Sequence, residues 1–468
     1  MATTCPTRAD QIISERVVEE MLARAHTPED AELDDILAKA REMHGLAMSE
    51  AAVLLQANVE QSARVFAAAK EVKEGIYGKR MVLFAPLYTS NVCVNDCLYC
   101  NFRHSNTDLR RKRLSLEEIA RETAALERQG HKRILLVLGE DPRVSVDQMA
   151  AAVQAVYAVR EGKGEIRRVN VNAAPMDPEP FRVLKDAGIG TYQCFQETYH
   201  RETYAKMHPC GPKADFDYRI TVFDRAVAGG VDDLGLGALF GLYDPKFEVL
   251  ALLMHAEYLE RAYGAGPHTI SFPRLEPAPG APIANDPPYQ LTDLEVKLIV
   301  ATLRLAVPYT GIIMSTRETP AMRDELMHLG VSQLSAGSST SPGGYVEQED
   351  PAEAPQFELA DHRSLDAVVR SLCESDFLPS FCTGCYRRGR TGHDFMDLAK
   401  PGLIQKFCSA NALMTFEEYL QDYASPATRA AGEALIARHL ARIPDAKVRE
   451  WAQKNLARTA AGERDLYL

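Results

Sequence analysis

A parallel α/β barrel of the (β/α)8 TIM type, with a helical region before it and a helical extension after it, is the fold class that this sequence predicts. Three observations predict it. Short apolar runs recur eight times from Met81 onward. Longer segments with apolar residues every three or four positions separate them. Strand, helix, strand repeated over about 260 residues matches the usual size of such a barrel. A doubly wound open sheet is the alternative that the same alternation allows.

Residues 1–80 read as a helical region. "DAELDDILAKAREMHGL" and "SEAAVLLQANVEQSARVFAAAKEVKEGIYG" carry helical spacing and no strand pattern interrupts them. The barrel is expected over residues 81–340, its strands in "MVLFAPLYTS", "RILLVLG", "RRVNVNAAP", "GTYQCFQET", "DDLGLGALFG", "HTISFPRLEP", "GIIMSTRE" and "VSQLSAGSS". Helix starts between them are legible: Ser115 with Glu118 and Thr292 with Glu295 fit capping boxes, and Pro320 suits a first helical turn after Thr319. The Pro/Gly-rich, acidic stretch 341–363 reads as a surface loop. It opens a C-terminal extension, 341–468, and no internal repeat or low-complexity tract is present.

The 468 residues carry 65 acidic and 53 basic side chains, a formal net charge of -12. That balance gives no electrostatic footprint for nucleic acid or an anionic membrane surface. The N-terminus lacks a secretory apolar run, and no stretch approaches the ~20 apolar residues that span a bilayer. A cytoplasmic protein is expected, with neither nucleic acid nor membrane as a partner. Ten cysteines in such a chain point to metal or cluster chemistry before disulfides.

"NVCVNDCLYCNF" sets Cys93, Cys97 and Cys100 directly after the first strand, on the loop where such a barrel builds its active site. Four thiolates would close a cubane or a zinc tetrahedron, whereas three leave one iron of a [4Fe–4S] cluster open to a further ligand. A zinc loop completed by a distant residue, or three structural thiols, is the plain alternative. The CxxxCxxC spacing resembles that of the radical S-adenosylmethionine (SAM) enzymes. The resemblance implies that the methionine amino and carboxylate groups of SAM chelate the open iron, and that an electron from the cluster releases a 5′-deoxyadenosyl radical. Tyr99 and Phe102 suit an adenine neighbour. "LGEDP" resembles the family's Gly-Gly-Glu segment with Leu138 in place of the first glycine, which directs Gly139 and Glu140 to the SAM amino group. Glu197 in "FQET" and Arg219 in "DYRITVFDRA" are candidates for the ribose or amino group and for the carboxylate. Taken alone, those two residues read equally as an ion pair at the barrel mouth.

Cys382 and Cys385 form a CxxC, and Cys408 follows after 22 residues. With His393 in "RTGHDF" this reads as a Cys3His zinc site. Together with the first triad it resembles the radical SAM tyrosine lyases that mature [FeFe]-hydrogenase, over roughly residues 40–420. "GPHTISFPRLEPA" and "FCTGCYRRGRTG" are the most specific further elements. The resemblance implies a second [4Fe–4S] cluster on Cys382, Cys385 and Cys408 with an additional labile iron, bridged through sulfur or free cysteine. His268 matches the family histidine assigned to that iron; without the resemblance it reads as a hydrogen-bonded core histidine. Cys5, Cys194, Cys210 and Cys373 have no ligand spacing and read as ordinary thiols.

The activity so implied is cleavage of L-tyrosine at Cα–Cβ to p-cresol and dehydroglycine, the latter broken down to carbon monoxide and cyanide on iron. A tyrosine carboxylate inside a barrel demands a cation. Arg317 in "MSTRETP" is the candidate, with Ser335 or Ser338 in "LSAGSS" for the amine; a salt bridge from Arg317 to Glu318 or another acid is the structural alternative. The family also implies a low-potential ferredoxin or flavodoxin as reductant and other hydrogenase maturation proteins as partners. The rival readings are the tyrosine lyase of thiamine synthesis, which releases dehydroglycine, and a non-catalytic iron–sulfur scaffold.

Overall fold

The structure, a computed structural model, describes residues 8–346, 355–400 and 403–468. Eight parallel strands close into a barrel in chain order: β1 (Arg80–Ser90), β2 (Arg133–Leu138), β3 (Arg168–Asn172), β4 (Tyr192–Gln193), β5 (Leu234–Gly237), β6 (Thr269–Ser271), β7 (Gly311–Met314) and β8 (Gln333–Ser335). β8 pairs with β1 and β1 with β2, so the ring has no open edge there and the open-sheet alternative falls. The helix starts follow the sequence. Ser115 Oγ accepts from the Glu118 amide while the Glu118 carboxylate accepts from the Ser115 amide, and Thr292 and Glu295 repeat the pattern.

The 11 residues of β1 serve three neighbours. Ala85–Ser90 pair with β2, Val82–Phe84 with β8, and Arg80–Val82 with a ninth strand, β9 (Leu378–Ser380). β9 thus occupies the position below β2, at the lower rim of the barrel. The extension was expected to be helical and contributes this strand as well. "LPS" gives no strand signal because it is three residues long with a proline at its centre. Pro379 is tolerated because β9 pairs on one side only, where a missing N–H is harmless.

β4 is two residues long, far shorter than its apolar run. Its hydrogen bonds nevertheless continue, from the Cys194 amide to the Gly235 carbonyl at 3.2 Å and from the Gln196 amide to the Gly237 carbonyl at 3.0 Å. The wall ends at Glu197, whose φ of 70° lies in the left-handed region that a non-glycine residue rarely adopts.

Outside the strands, helix Pro245–Tyr263 is buried along most of its length. Helix Val59–Tyr77 of the N-terminal region forms a separate apolar core with helix Asp293–Ala306. Of the ordinary thiols, Cys194 and Cys373 are buried and Cys210 is exposed, while Cys5 lies outside the described residues. Among the described residues no helix is long and apolar enough to cross a membrane.

Candidate functional site

The C-terminal ends of the barrel strands open into a cavity of about 230 Å³ that all three cysteines of the first triad line. Their loop is tied down from several directions. Arg103 forks onto Asp96 with two 2.9 Å bonds and, with Ser105, holds that carboxyl well below the usual carboxylate range. The Arg111 guanidinium collects the carbonyls of Asn91, Phe102 and Arg103 at 2.6–2.9 Å. Gly139 lets the tip of β2 reach the loop, since a Cβ there would meet the Val92 carbonyl oxygen at 2.3 Å. Burial pushes the Cys97 thiol up and Cys100 up to about 12. Metal charge opposes this effect of burial and favours the thiolate, as ligation of a cluster requires.

Around the triad, Tyr99, Phe102, Gly139, Glu140, Glu197 and Arg219 all line the cavity. The Tyr99 hydroxyl meets His208 Nε2 at 2.7 Å, and Phe102 packs edge-on against Tyr88. The backbones of Gly139 and Glu140 are engaged with the cysteine loop: the Gly139 amide donates to Ser90, and the Glu140 carbonyl accepts from Val94 at 2.9 Å. Glu197 accepts from Lys213 Nζ at 2.8 Å, while Arg219 Nη2 stands 3.9 Å from the same oxygen. The ion-pair geometry therefore exists, with Lys213 as the closer partner. Burial and Arg219 oppose the charge of Lys213, yet Glu197 and Cys97 hold its pKa above the ordinary lysine value. Neither Lys213, which lines the mouth, nor His208, buried behind Tyr99, was singled out from the sequence, because both come from the segment after β4 without any local motif.

Arg317 and Ser335 also line this cavity; Ser338 is not among the lining residues, and its hydroxyl is buried without a partner. The Arg317 guanidinium lies 3.4 Å from the centre of the Phe357 ring and donates to the Arg274 carbonyl at 3.3 Å. Among the described residues no carboxylate lies within ion-pairing distance of it. Glu318 pairs instead with Arg274 at 2.6 Å, so the expected structural alternative does not form. Gln356, also missed from the sequence, reaches the mouth from beyond β8.

At the opposite, lower mouth a cavity of about 40 Å³ is lined by Cys382, Cys385, Cys408 and His268, together with Arg80, Arg133 and Tyr386. Cys382 follows β9, Cys385 sits on helix Gly384–Arg387, and Cys408 on helix Ile404–Asp422. Arg133 Nη2 donates to the Cys382 carbonyl at 2.9 Å. The Nε atoms of Arg80 and Arg133 are buried without hydrogen-bond partners. Two buried guanidiniums beside three thiols complement a sulfur-rich anionic group. His268 is hydrogen-bonded, as a core histidine is, through Nε2 to the Tyr386 hydroxyl at 2.7 Å. Burial lowers its pKa to about 4, so it is the neutral imidazole that metals bind.

His393 does not join this cavity; it is 64% exposed and pairs with Asp397 at 3.2 Å. Among the described residues no group of three or more His, Cys, Asp or Glu is gathered to hold a single metal ion. The Cys3His alternative therefore lacks its histidine.

Two family models match the chain: the Radical SAM superfamily over residues 87–253, and the Biotin and Thiamin Synthesis associated domain over 271–378. The chain is similar to a crystal structure of HydG, a maturase of the [FeFe]-hydrogenase, at 48% identity and a TM-score of 0.95, covering 98% of this chain and all of that one. The HydG of Carboxydothermus hydrogenoformans matches at 41% identity and a TM-score of 0.82, over 96% of this chain and 99% of that one. The 2-iminoacetate synthase of Escherichia coli K12 is 34% identical over 65% of this chain and 78% of its own length.

Proposed function

The chain belongs to the radical SAM family that includes the hydrogenase maturase HydG, and on that premise we propose that it is a tyrosine lyase of [FeFe]-hydrogenase maturation. The observation that carries the reading is the second triad, gathered around its own cavity at the barrel end remote from the first. The family resemblance to HydG spans this extension, while the alignment with 2-iminoacetate synthase leaves about a third of the chain unmatched. The first half of the chemistry is common to both readings, and release of dehydroglycine for thiamine synthesis is the second reading.

Cys93, Cys97 and Cys100 would hold a [4Fe–4S] cluster and leave it free to take SAM. When bound, the cluster would supply the electron that cleaves SAM, and SAM the 5′-deoxyadenosyl radical that takes a hydrogen atom from the tyrosine amino group. The protein's own part is to bind, orient and exclude water. Arg317 forks onto the tyrosine carboxylate, a charge-assisted pair made strong by burial. Ser335 orients the amine. Lys213 and Arg219 hold Glu197 in a fixed position at the mouth for the ribose or amino group of SAM. The closed wall keeps water from the reacting carbon. Tyrosine then parts at Cα–Cβ into a p-cresol precursor and dehydroglycine, which is broken down to carbon monoxide and cyanide at the lower mouth. There Cys382, Cys385 and Cys408 would hold the second cluster, and His268 would receive the cargo iron together with free cysteine.

The test is anaerobic. After reconstitution with iron and sulfide, the chain is given dithionite, SAM and L-tyrosine, and p-cresol is assayed together with haem-trapped carbon monoxide. Both products are expected. p-Cresol alone assigns the chain to dehydroglycine release, and neither product from a fully clustered sample removes the lyase reading.

A further inference from the structure

Gln356 approaches the first triad from a segment remote in sequence. Its Nε2 donates to Cys100 Sγ at 3.5 Å, and its Oε1 accepts from the Tyr88 hydroxyl at 2.7 Å. The backbone around it is pinned at two points: its amide donates to the Thr340 carbonyl at 3.1 Å, and the Asn101 amide donates to its carbonyl at 3.4 Å. Tyr88 is buried on β1 with its ring against Phe102, so its hydroxyl has little freedom. That hydroxyl fixes the orientation of the amide, turning the donor end toward sulfur. A hydrogen bond given to a thiolate ligand stabilises the more negative, reduced form of a cluster and so raises its reduction potential.

We propose that Gln356 is a positioning residue that sets the reduction potential of the cluster held by Cys93, Cys97 and Cys100, with Tyr88 orienting its amide. The inference rests on the radical SAM reading of that triad. Its place on the chain adds a link to the substrate: the next residue, Phe357, carries the Arg317 guanidinium on its ring. The donor to a cluster ligand and the platform for the carboxylate-binding cation are thus neighbours on one strap.

The experiment uses the full chain with Cys382→Ala and Cys385→Ala, so that only the first cluster titrates, and follows its reduction by electron paramagnetic resonance at a series of fixed potentials. Adding Gln356→Leu is expected to lower the reduced-to-oxidised ratio about tenfold at a given potential, a shift of about 59 mV for one electron. Tyr88→Phe, which keeps the ring and removes only the orienting hydroxyl, is expected to shift it in the same direction by less; it decides the matter should the Gln356 variant not assemble a cluster. Unchanged potentials in clustered variants overturn the inference. A parent that forms no [4Fe–4S] cluster overturns the radical SAM reading itself, and the inference with it.

Discussion

Arg317 is a buried cation whose neighbours are a ring face and a carbonyl, and burial alone pushes its pKa below the usual arginine value. A guanidinium in that position gains most from a carboxylate brought by a ligand. Arg317→Ala is expected to raise the KM for L-tyrosine on the order of 10- to 100-fold, the loss of about 1.5–3 kcal/mol that a hydrogen bond to a charged group contributes. Iron content should be unchanged, and Arg317→Lys should fall between because it keeps the charge without the fork. p-Cresol initial rates against tyrosine concentration check this; an unaltered KM places the carboxylate elsewhere. At this scale the cysteines were legible because ligand spacing within a loop is a local property. Lys213, His208 and Gln356 were not, since each meets its partner only after the barrel has closed. Ser335 and Ser338 looked equivalent in "LSAGSS", and only the course of the chain after β8 separates them.

The strands were legible as apolar runs because a wall buried on both faces needs no alternation. Their lengths were not: β4 has two residues and β6 and β8 three each, well short of the apolar runs that announced them, because strand length is set by pairing with neighbours distant in sequence. β9 escaped notice altogether, although it brings Cys382 and Cys385 to their place beneath β2. Because β9 and helix Ile404–Asp422 assemble a lower site that shares no lining residue with the upper cavity, the two sites should fail independently. Cys382→Ala with Cys385→Ala is expected to keep p-cresol formation within about twofold and to abolish carbon monoxide, an order-of-magnitude expectation for sites that share no partner. Carbon monoxide retained by the double variant would refute the division of labour.

Across the whole molecule, burial keeps His131 and His255 uncharged, each with its pKa lowered to about 3. In the unfolded chain they titrate near the ordinary 6.5, so between pH 6.5 and 3 the unfolded state binds protons that the folded state refuses. Stability therefore falls as the pH is lowered through that window, by up to about 1.4 kcal/mol per pH unit for each histidine. The His131→Gln, His255→Gln double variant is expected to flatten the dependence, measured as urea midpoints from pH 7 to pH 4; an unchanged slope would mean that neither group resists protonation. The long-range closure of the barrel carries a further consequence. β1 is the first strand of the barrel, yet its lower half finds β9 only after all eight barrel strands have been made. At roughly 5–20 residues per second, tens of seconds separate the two. During synthesis the strands around the upper mouth can pair in chain order while the lower mouth waits for β9 and helix Ile404–Asp422, so the three thiols there are the later set to be gathered.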